Sequence, residues 1–80
     1  MSAARVVICD DEMLIRLWFS ELFRESGFRT EDVADGASLL AALAREPADL
    51  VLLDLRLPDG SGMELLPRIK ALDPTLPVIM

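Results

Sequence analysis

Residues 51–60 read VLLDLRLPDG, an apolar run that ends in a single aspartate, Asp54, shortly before a proline and a glycine. A carboxylate is costly to bury without partners, so an acid at the end of such a run usually has a ligand or a chemical task. The earlier run Val6–Cys9 ends in the same way at Asp10. Both runs are typical of buried parallel strands, which read as continuous apolar segments.

A helical pattern follows the first of these runs. One arc of the predicted helix is apolar and consists of Leu14, Ile15, Trp18, Phe19, Leu22 and Phe23. The opposite arc consists of Arg16, Ser20, Glu21, Arg24 and Glu25. Gly27 is well placed to end the helix. We expect the aromatic residues, Trp18 included, to lie in the core, and Leu17, a lone apolar residue on the polar arc, to be exposed.

The rest of the chain continues the alternation of strands and helices. The pattern predicts a strand over Phe28–Ala34, a helix over Ala37–Arg45 that Pro47 stops, a helix over Ser61–Leu72 capped by Ser61, and a strand from Leu76 to Met80. Pro67 conflicts with its helix, because an interior proline costs about 3 kcal/mol, and predicts a kink or a late helix start. The order β-α-β-α-β-α-β predicts an α/β fold with a parallel sheet wrapped by helices.

Composition limits the classes of protein to consider. The chain has 80 residues, 52% of them hydrophobic, which predicts one small domain with one core. Its 14 acidic and 8 scattered basic residues give a net charge of -6, which argues against nucleic-acid binding. No run suggests a signal peptide or a membrane span. Cys9 is the only cysteine and is interpreted as a buried small hydrophobe. We expect a soluble cytoplasmic protein.

Three acids are predicted at the carboxyl edge of the sheet, namely Asp10, Asp11 and Asp54. Ligands bind parallel sheets at that edge. Carboxylates that converge repel one another, and Mg²⁺ suits such a site because it takes a few carboxylate ligands and leaves room for phosphoryl oxygens. An aspartate can also act as a nucleophile in phosphoryl transfer. Alternatively or in addition, Asp10 and Asp11 cap the first helix. The pair Asp59-Gly60 is interpreted as a turn without chemistry.

Four motifs in this order resemble the receiver domain of two-component response regulators: VICDDE at 7–12, ADG at 34–36, LLDLRLPDGSG at 52–62 and LPVIM at 76–80. The resemblance covers nearly the whole chain, which is interpreted as the N-terminal portion of one receiver domain over residues 1–80. It implies a flavodoxin-like sheet with the strand order 2-1-3-4-5.

The resemblance also implies a role for individual residues. Asp54 matches the phosphoaccepting aspartate of the family. Asp11 matches the acid that ligates Mg²⁺ directly, and Asp10 the acid that helps to hold it, partly through water. Arg56 matches the residue whose backbone carbonyl is a further ligand. The family's phosphoryl donor is a sensor histidine kinase or a phosphotransfer protein, so the expected role is that of a phosphoacceptor in a phosphorelay and not of an enzyme.

Pro58 and Gly60 match the turn that shapes the phosphoacceptor loop, but the chain departs from the family beyond the fourth strand. Receivers carry a Ser or Thr at the end of that strand and a Lys at the end of a fifth, and neither is present. The only lysine, Lys70, falls in the third helix. The fourth helix, fifth strand and fifth helix are also missing. We therefore expect a truncated receiver whose exposed fourth strand favours self-association.

Two other functions share features with these residues. The chain could be a receiver fragment that no longer switches and acts only as an interaction module, and Leu17 could mark a kinase-docking surface near the first helix. Haloacid-dehalogenase-type phosphatases also place a nucleophilic aspartate after an apolar strand. Their motif requires a second aspartate two residues on, where this chain has Arg56, which argues against a hydrolase.

Overall fold

A computed structural model describes residues 3–80. The elements in chain order are β1 (Arg5–Cys9), α1 (Met13–Glu25), β2 (Arg29–Val33), α2 (Gly36–Arg45), β3 (Leu50–Leu53), β4 (Arg56–Leu57), β5 (Gly60–Ser61), α3 (Gly62–Leu72) and β6 (Val78–Ile79). Four strands form a parallel sheet in the order β2-β1-β3-β6. The short strands β4 and β5 form a separate antiparallel hairpin. The predicted flavodoxin-like fold is confirmed over these four parallel strands.

The main core lies between the sheet and the pair α2 and α3. It is built from apolar residues of the strands and both helices, chiefly Val7, Cys9, Val51 and Leu53 with Leu39, Leu43, Leu65 and Ile69. Each fully buried aliphatic side chain of this kind stabilises the fold by about 1.5–3 kcal/mol. Cys9 is 1% exposed, which confirms it as a buried small hydrophobe. The run Val6–Cys9 is thus fully buried as predicted, whereas Leu50 and Leu52 of the second run are only half-buried.

Helix α1 lies on the other face of the sheet but turns a different side to it than expected. Ser20 is the one buried residue of this helix, while Phe19 and Phe23 are half-buried. Trp18 is 62% exposed and Leu14 is 76% exposed. The predictions that Trp18 lies in the core and that Ser20 lies on the outer arc are therefore wrong. A single helix on a sheet buries only a narrow strip, and a small side chain in that strip lets the helix approach the strands closely.

The end of α1 follows the sequence signal. Gly27 adopts φ +93, which favours glycine, and its N–H donates to the carbonyl of Arg24 at 3.0 Å. Leu17 is 47% exposed, as expected for its place on the outer arc.

Helix α3 confirms one local prediction and corrects another. The Ser61 hydroxyl accepts a hydrogen bond from the N–H of Met63 at 3.1 Å, so Ser61 caps the helix as predicted. The helix is continuous from Gly62 through Pro67, so the late start suggested by Pro67 is wrong. Burial of Leu65 and Ile69 on either side of the proline offsets its lost backbone hydrogen bond.

Candidate phosphoacceptor and metal site

The parallel register brings two acidic strand ends to the same level. Cys9 of β1 pairs with Leu53 of β3, and each is followed directly by an aspartate. The N–H of Asp54 donates to the carbonyl of Cys9 at 2.9 Å, which holds the carboxyl ends of β1 and β3 side by side. The N–H of Asp10 donates to the carbonyl of Val33 at 3.1 Å, which ties the end of β2 to the same edge.

The side chains of Asp10, Asp11 and Asp54, here called the acidic cluster, converge at this edge as predicted. Each contributes one carboxylate oxygen to a group whose atoms all lie within 4.8 Å of one another. Asp10 and Asp54 are half-buried, and Asp11 is exposed. Within residues 3–80, the acidic cluster has no ion pair with a Lys or Arg side chain. Three hard oxygen donors without a counter-charge form a donor set that fits a divalent cation such as Mg²⁺.

Arg16 is the cation of α1 that reaches toward this edge. Its guanidinium donates to the backbone carbonyl of Asp10 at 2.9 Å and pairs with Asp32 at 3.1 Å. It therefore braces the loop between β1 and α1 against the end of β2, and does not neutralise the carboxylates. The sequence placed Arg16 on the outer arc, yet its side chain is only 16% exposed.

The predicted helix cap at Asp10 and Asp11 is wrong. The N-cap of α1 is Glu12, whose side chain makes no capping hydrogen bond. Asp10 instead accepts the N–H of Glu12 at 2.9 Å, in a local turn just before the helix. Asp11 is left with its carboxylate directed to the acidic cluster rather than committed to the helix end.

Asp54 has a backbone donor on one oxygen. Its Oδ1 accepts the N–H of Arg56 at 3.3 Å. For Oδ2, no hydrogen-bond donor is present in the part of the chain that the structure describes. One carboxylate oxygen is thus oriented by the loop, and the other is available for chemistry.

The loop after Asp54 is a hairpin, formed by β4 and β5 with Pro58 and Asp59 in the turn. Gly60 adopts φ +148, a conformation that side chains disfavour. Gly62 follows the hairpin, and a Cβ there would lie 2.5 Å from the backbone carbonyl oxygen of Asp54. This role of Gly62 could not be predicted from the sequence, because a close approach between backbones leaves no periodic signal.

Asp59 is the second residue of the site that sequence reasoning missed. Its carboxylate accepts the N–H groups of Gly36 at 2.8 Å and Ala37 at 3.0 Å, at the start of α2. These two hydrogen bonds lower the pKa of Asp59 from its usual range. The interpretation of Asp59 as a turn residue is confirmed, and its contacts with the start of α2 were not predicted. A signal existed in the Asp35-Gly36 helix start, whose first N–H groups need acceptors.

Cys9 lies beneath the acidic cluster and is chemically quiet. Its Sγ approaches the carbonyl of Asp35 at 3.5 Å. Burial foremost, and next the negative charge of Asp35 and the other nearby carboxylates, raise the pKa of the thiol to about 12. The thiol therefore stays protonated at neutral pH.

Lys70 lies away from this edge, where its ammonium group donates to the carbonyl of Leu76. Lys70 therefore lies in the third helix and away from the acidic cluster, and both points agree with the sequence prediction. Among residues 3–80, no helix has both the length and the apolar character needed to span a bilayer.

The family model of the response regulator receiver domain matches residues 6–80. Sporulation initiation phosphotransferase F from Bacillus subtilis is 36% identical over 80 residues, which cover 100% of this chain and 64% of that protein. Response regulator protein PilR from Pseudomonas aeruginosa is 39% identical, over 100% of this chain and 18% of that protein. The solved CheY-like receiver domain protein from Methanospirillum hungatei JF-1 is 33% identical with a TM-score of 0.96, over 99% of this chain and 63% of that one. The chain thus spans less than two thirds of the length of each relative.

Proposed function

The chain belongs to the response regulator receiver domain family, and from this premise we propose that Asp54 is its phosphoacceptor, with Mg²⁺ held by Asp10, Asp11, Asp54 and the backbone carbonyl of Arg56. The phosphoryl donor we propose is a sensor histidine kinase or a phosphotransfer protein. The role is that of a signalling module that carries a phosphoryl group, not of an enzyme that turns over a substrate.

One observation carries the proposal, namely the convergence of three carboxylates that lack a counter-charge. Clustered carboxylates repel one another, so a site that keeps them together without a basic neighbour is suited to a cation. A bound Mg²⁺ would neutralise this charge and stabilise the phosphoryl oxygens during transfer. Arg56 belongs to the same loop, since it follows Asp54 by two residues and its N–H donates to Asp54 Oδ1.

The chemistry assigned to Asp54 is a single displacement. Oδ2 attacks the phosphorus atom of a phosphohistidine, a P–O bond forms, and the P–N bond breaks with the electron pair leaving on the imidazole nitrogen. The product is an acyl phosphate on Asp54. The hydrogen bond from Arg56 to Oδ1 holds the carboxylate plane while Oδ2 reacts.

The exposed arc of α1 supports a second candidate, an interaction module without phosphorylation. Leu14 and Trp18 are 76% and 62% exposed and lie on the helix that follows the acidic residues. An apolar surface of this kind suits protein contacts. This candidate needs no reaction at Asp54, so the two functions make different predictions.

The test is the intact mass of the chain after incubation with Mg²⁺ and acetyl phosphate, a small phosphoryl donor. We expect one phosphoryl adduct on the wild type and none on Asp54→Asn. Asp49→Asn is the matched control, because it removes an acid at the other edge of the sheet, and its chain should still be phosphorylated. Failure to modify a chain that circular dichroism shows to be folded would contradict the proposal and favour the interaction module.

A further inference from the structure

The hairpin that follows Asp54 is attached to α2 at its tip. Asp59 occupies the turn between β4 and β5, and its two carboxylate oxygens accept hydrogen bonds from Gly36 and Ala37. Gly36 and Asp59 are 23 residues apart in the chain. The contact is therefore a tertiary one, and it joins a loop to a helix that the sequence alone does not connect.

The start of α2 needs acceptors, and two carboxylates supply them. The first N–H groups of a helix have no partner within the helix. Asp35 satisfies one of them locally, by accepting the N–H of Ser38 at 2.7 Å. Asp59 accepts the N–H groups of the two residues before Ser38, Gly36 and Ala37, one with each carboxylate oxygen. The positive end of the helix also favours a negative charge at this position.

Packing around Gly36 strengthens the same attachment. A Cβ at Gly36 would lie 2.8 Å from a methyl group of Leu65 and 3.3 Å from Oδ1 of Asp59. The starts of α2 and α3 and the tip of the hairpin therefore meet at one backbone position. Glycine at this position lets the carboxylate approach the helix end closely enough to bond both N–H groups.

The hairpin has few other attachments near its tip. Pro58, Asp59 and Gly60 are all exposed, and only Leu57 of the hairpin strands is buried. The base of the hairpin is closed by the N–H of Gly62, which donates to the carbonyl of Leu55 at 2.8 Å. Between these two points lies the backbone that carries the Arg56 carbonyl.

We propose that Asp59 is a positioning residue: its carboxylate fastens the hairpin to α2 and thereby holds the Arg56 carbonyl and the Asp54 side chain in the geometry that binds Mg²⁺. The proposal rests on the proposed function insofar as it concerns the metal. It assigns to the hairpin tip a task in the site that is distinct from forming the turn. Groups that orient metal ligands typically change metal affinity by about 10- to 100-fold when removed.

Asp35 provides a matched control for Asp59. Both acids accept N–H groups of the same helix end, and both raise the pKa of Cys9, so each places negative charge near the acidic cluster. Asp35→Ala and Asp59→Ala therefore remove the same charge and a comparable helix cap. Only Asp59→Ala releases the hairpin. A difference between the two variants reports positioning and not helix stability or net charge.

The experiment has two readouts on each variant: amide hydrogen exchange of the metal-free protein, and Mg²⁺ affinity by calorimetry. For Asp59→Ala we expect faster exchange over residues 55–61, in addition to Gly36 and Ala37, whose N–H groups lose their acceptor, and a Mg²⁺ affinity at least about 10-fold lower than that of the wild type. Asp35→Ala frees the N–H of Ser38 but should leave exchange over residues 55–61 unchanged, and it should lower the Mg²⁺ affinity much less than Asp59→Ala does. Asp59→Asn keeps one acceptor oxygen and should fall between wild type and Asp59→Ala in both readouts.

Each outcome decides a separate point. If the two alanine variants bind Mg²⁺ equally well, or if exchange over residues 55–61 is unaffected by Asp59→Ala, the positioning role is overturned. If the wild type itself binds no Mg²⁺, the metal site of the proposed function fails. In that case the exchange data still decide whether Asp59 fastens the hairpin.

Discussion

The two edges of the parallel sheet differ in whether their charged side chains form ion pairs. Where the strands begin, Arg5 is only 3% exposed, and its guanidinium pairs with Glu31 at 2.5 Å and with Glu46 at 3.4 Å. It also donates to the backbone carbonyl of Glu46 at 2.6 Å, just after α2. Arg45 and Arg29 complete this arginine network by pairing with Glu31 and Glu46 respectively. Where the strands end, the acidic cluster has no such partner among residues 3–80.

This difference separates charges that hold the fold together from charges that the proposed Mg²⁺ would neutralise. At the beginning of the strands, each buried or half-buried charge has a partner within the chain, so the edge is stable without anything bound. At the other edge the acidic cluster costs stability, because like charges repel. A small domain has little stability to spare, so we expect this repulsion among carboxylates to be offset by a bound cation.

The largest effect is expected from the arginine network. Arg5→Met leaves two glutamates with fewer partners and the backbone carbonyl of Glu46, just after α2, without its donor, so it should lower the free energy of unfolding by about 3 kcal/mol. Urea denaturation measures this loss. Arg24→Met is the control, because its ion pair with Glu21 is exposed on both sides and is worth at most about 0.5 kcal/mol. Equal losses in both variants would contradict the stabilising role of this edge.

A smaller loss is expected next to the acidic cluster, from packing and not from charge. Gly62→Ala would place a Cβ 2.5 Å from the carbonyl of Asp54, so α3 must shift, at a cost of about 2 kcal/mol. Gly36→Ala is the comparison, since its Cβ would meet the ends of the Leu65 and Asp59 side chains and not a backbone atom, and it should cost less. The comparison is made by urea denaturation, and a Gly62→Ala chain as stable as the wild type would show that the backbone contact is unimportant.

Acid titration should weaken the arginine network. Hydrogen bonds from Arg45 lower the pKa of Glu31 below its ordinary value of 4.5, and those from Arg29 do the same for Glu46. A carboxylate whose pKa is lowered by folding stabilises the fold fully above its unfolded value and loses that stabilisation as the pH falls through its folded value. The urea concentration at the denaturation midpoint should therefore decrease as the pH is lowered below about 4.5. Glu31→Gln should flatten this fall, and an unchanged pH dependence in that variant would contradict the assignment.

The smallest effect should have the opposite sign. Asp11→Asn removes one charge from the acidic cluster, so without divalent ions we expect the chain to become slightly more stable, by less than about 1 kcal/mol. The gain should disappear at high salt, because screening weakens repulsion between partly exposed charges. A clear loss of stability in low salt would mean that Asp11 is paired, and the contrast between the two edges would not hold.

The sequence predicted the sheet and the position of the acidic cluster because both depend on local patterns. Apolar runs that end in acid define buried parallel strands, and parallel register then brings Asp10 and Asp54 together. The orientation of α1 was not predictable in the same way. Periodicity identifies an apolar arc, but which part of the arc is buried depends on the neighbours present, and here Trp18 faces outward.

Long-range hydrogen bonds account for the rest of what sequence reasoning missed. Arg5 donates hydrogen bonds to Glu31, 26 residues away in the chain, and to the carbonyl of Glu46, 41 residues away. Asp59 accepts a hydrogen bond from Gly36 at the start of α2, 23 residues away in the chain. An arginine at the start of a strand and an aspartate in a turn are both ordinary surface residues by local rules. Only the fold reveals that each meets a helix end with unsatisfied backbone groups.

The most direct test of the central claim is Mg²⁺ binding measured by calorimetry on the wild type, Asp11→Asn and Glu46→Gln. Both variants lose one carboxylate, but at opposite edges of the sheet. If the acidic cluster is the cation site, the wild type binds one Mg²⁺, Asp11→Asn binds it at least about 10-fold more weakly, and Glu46→Gln binds it as the wild type does. Equal weakening in both variants, or undiminished binding by Asp11→Asn, would contradict the claim that the unpaired carboxylates form the functional site.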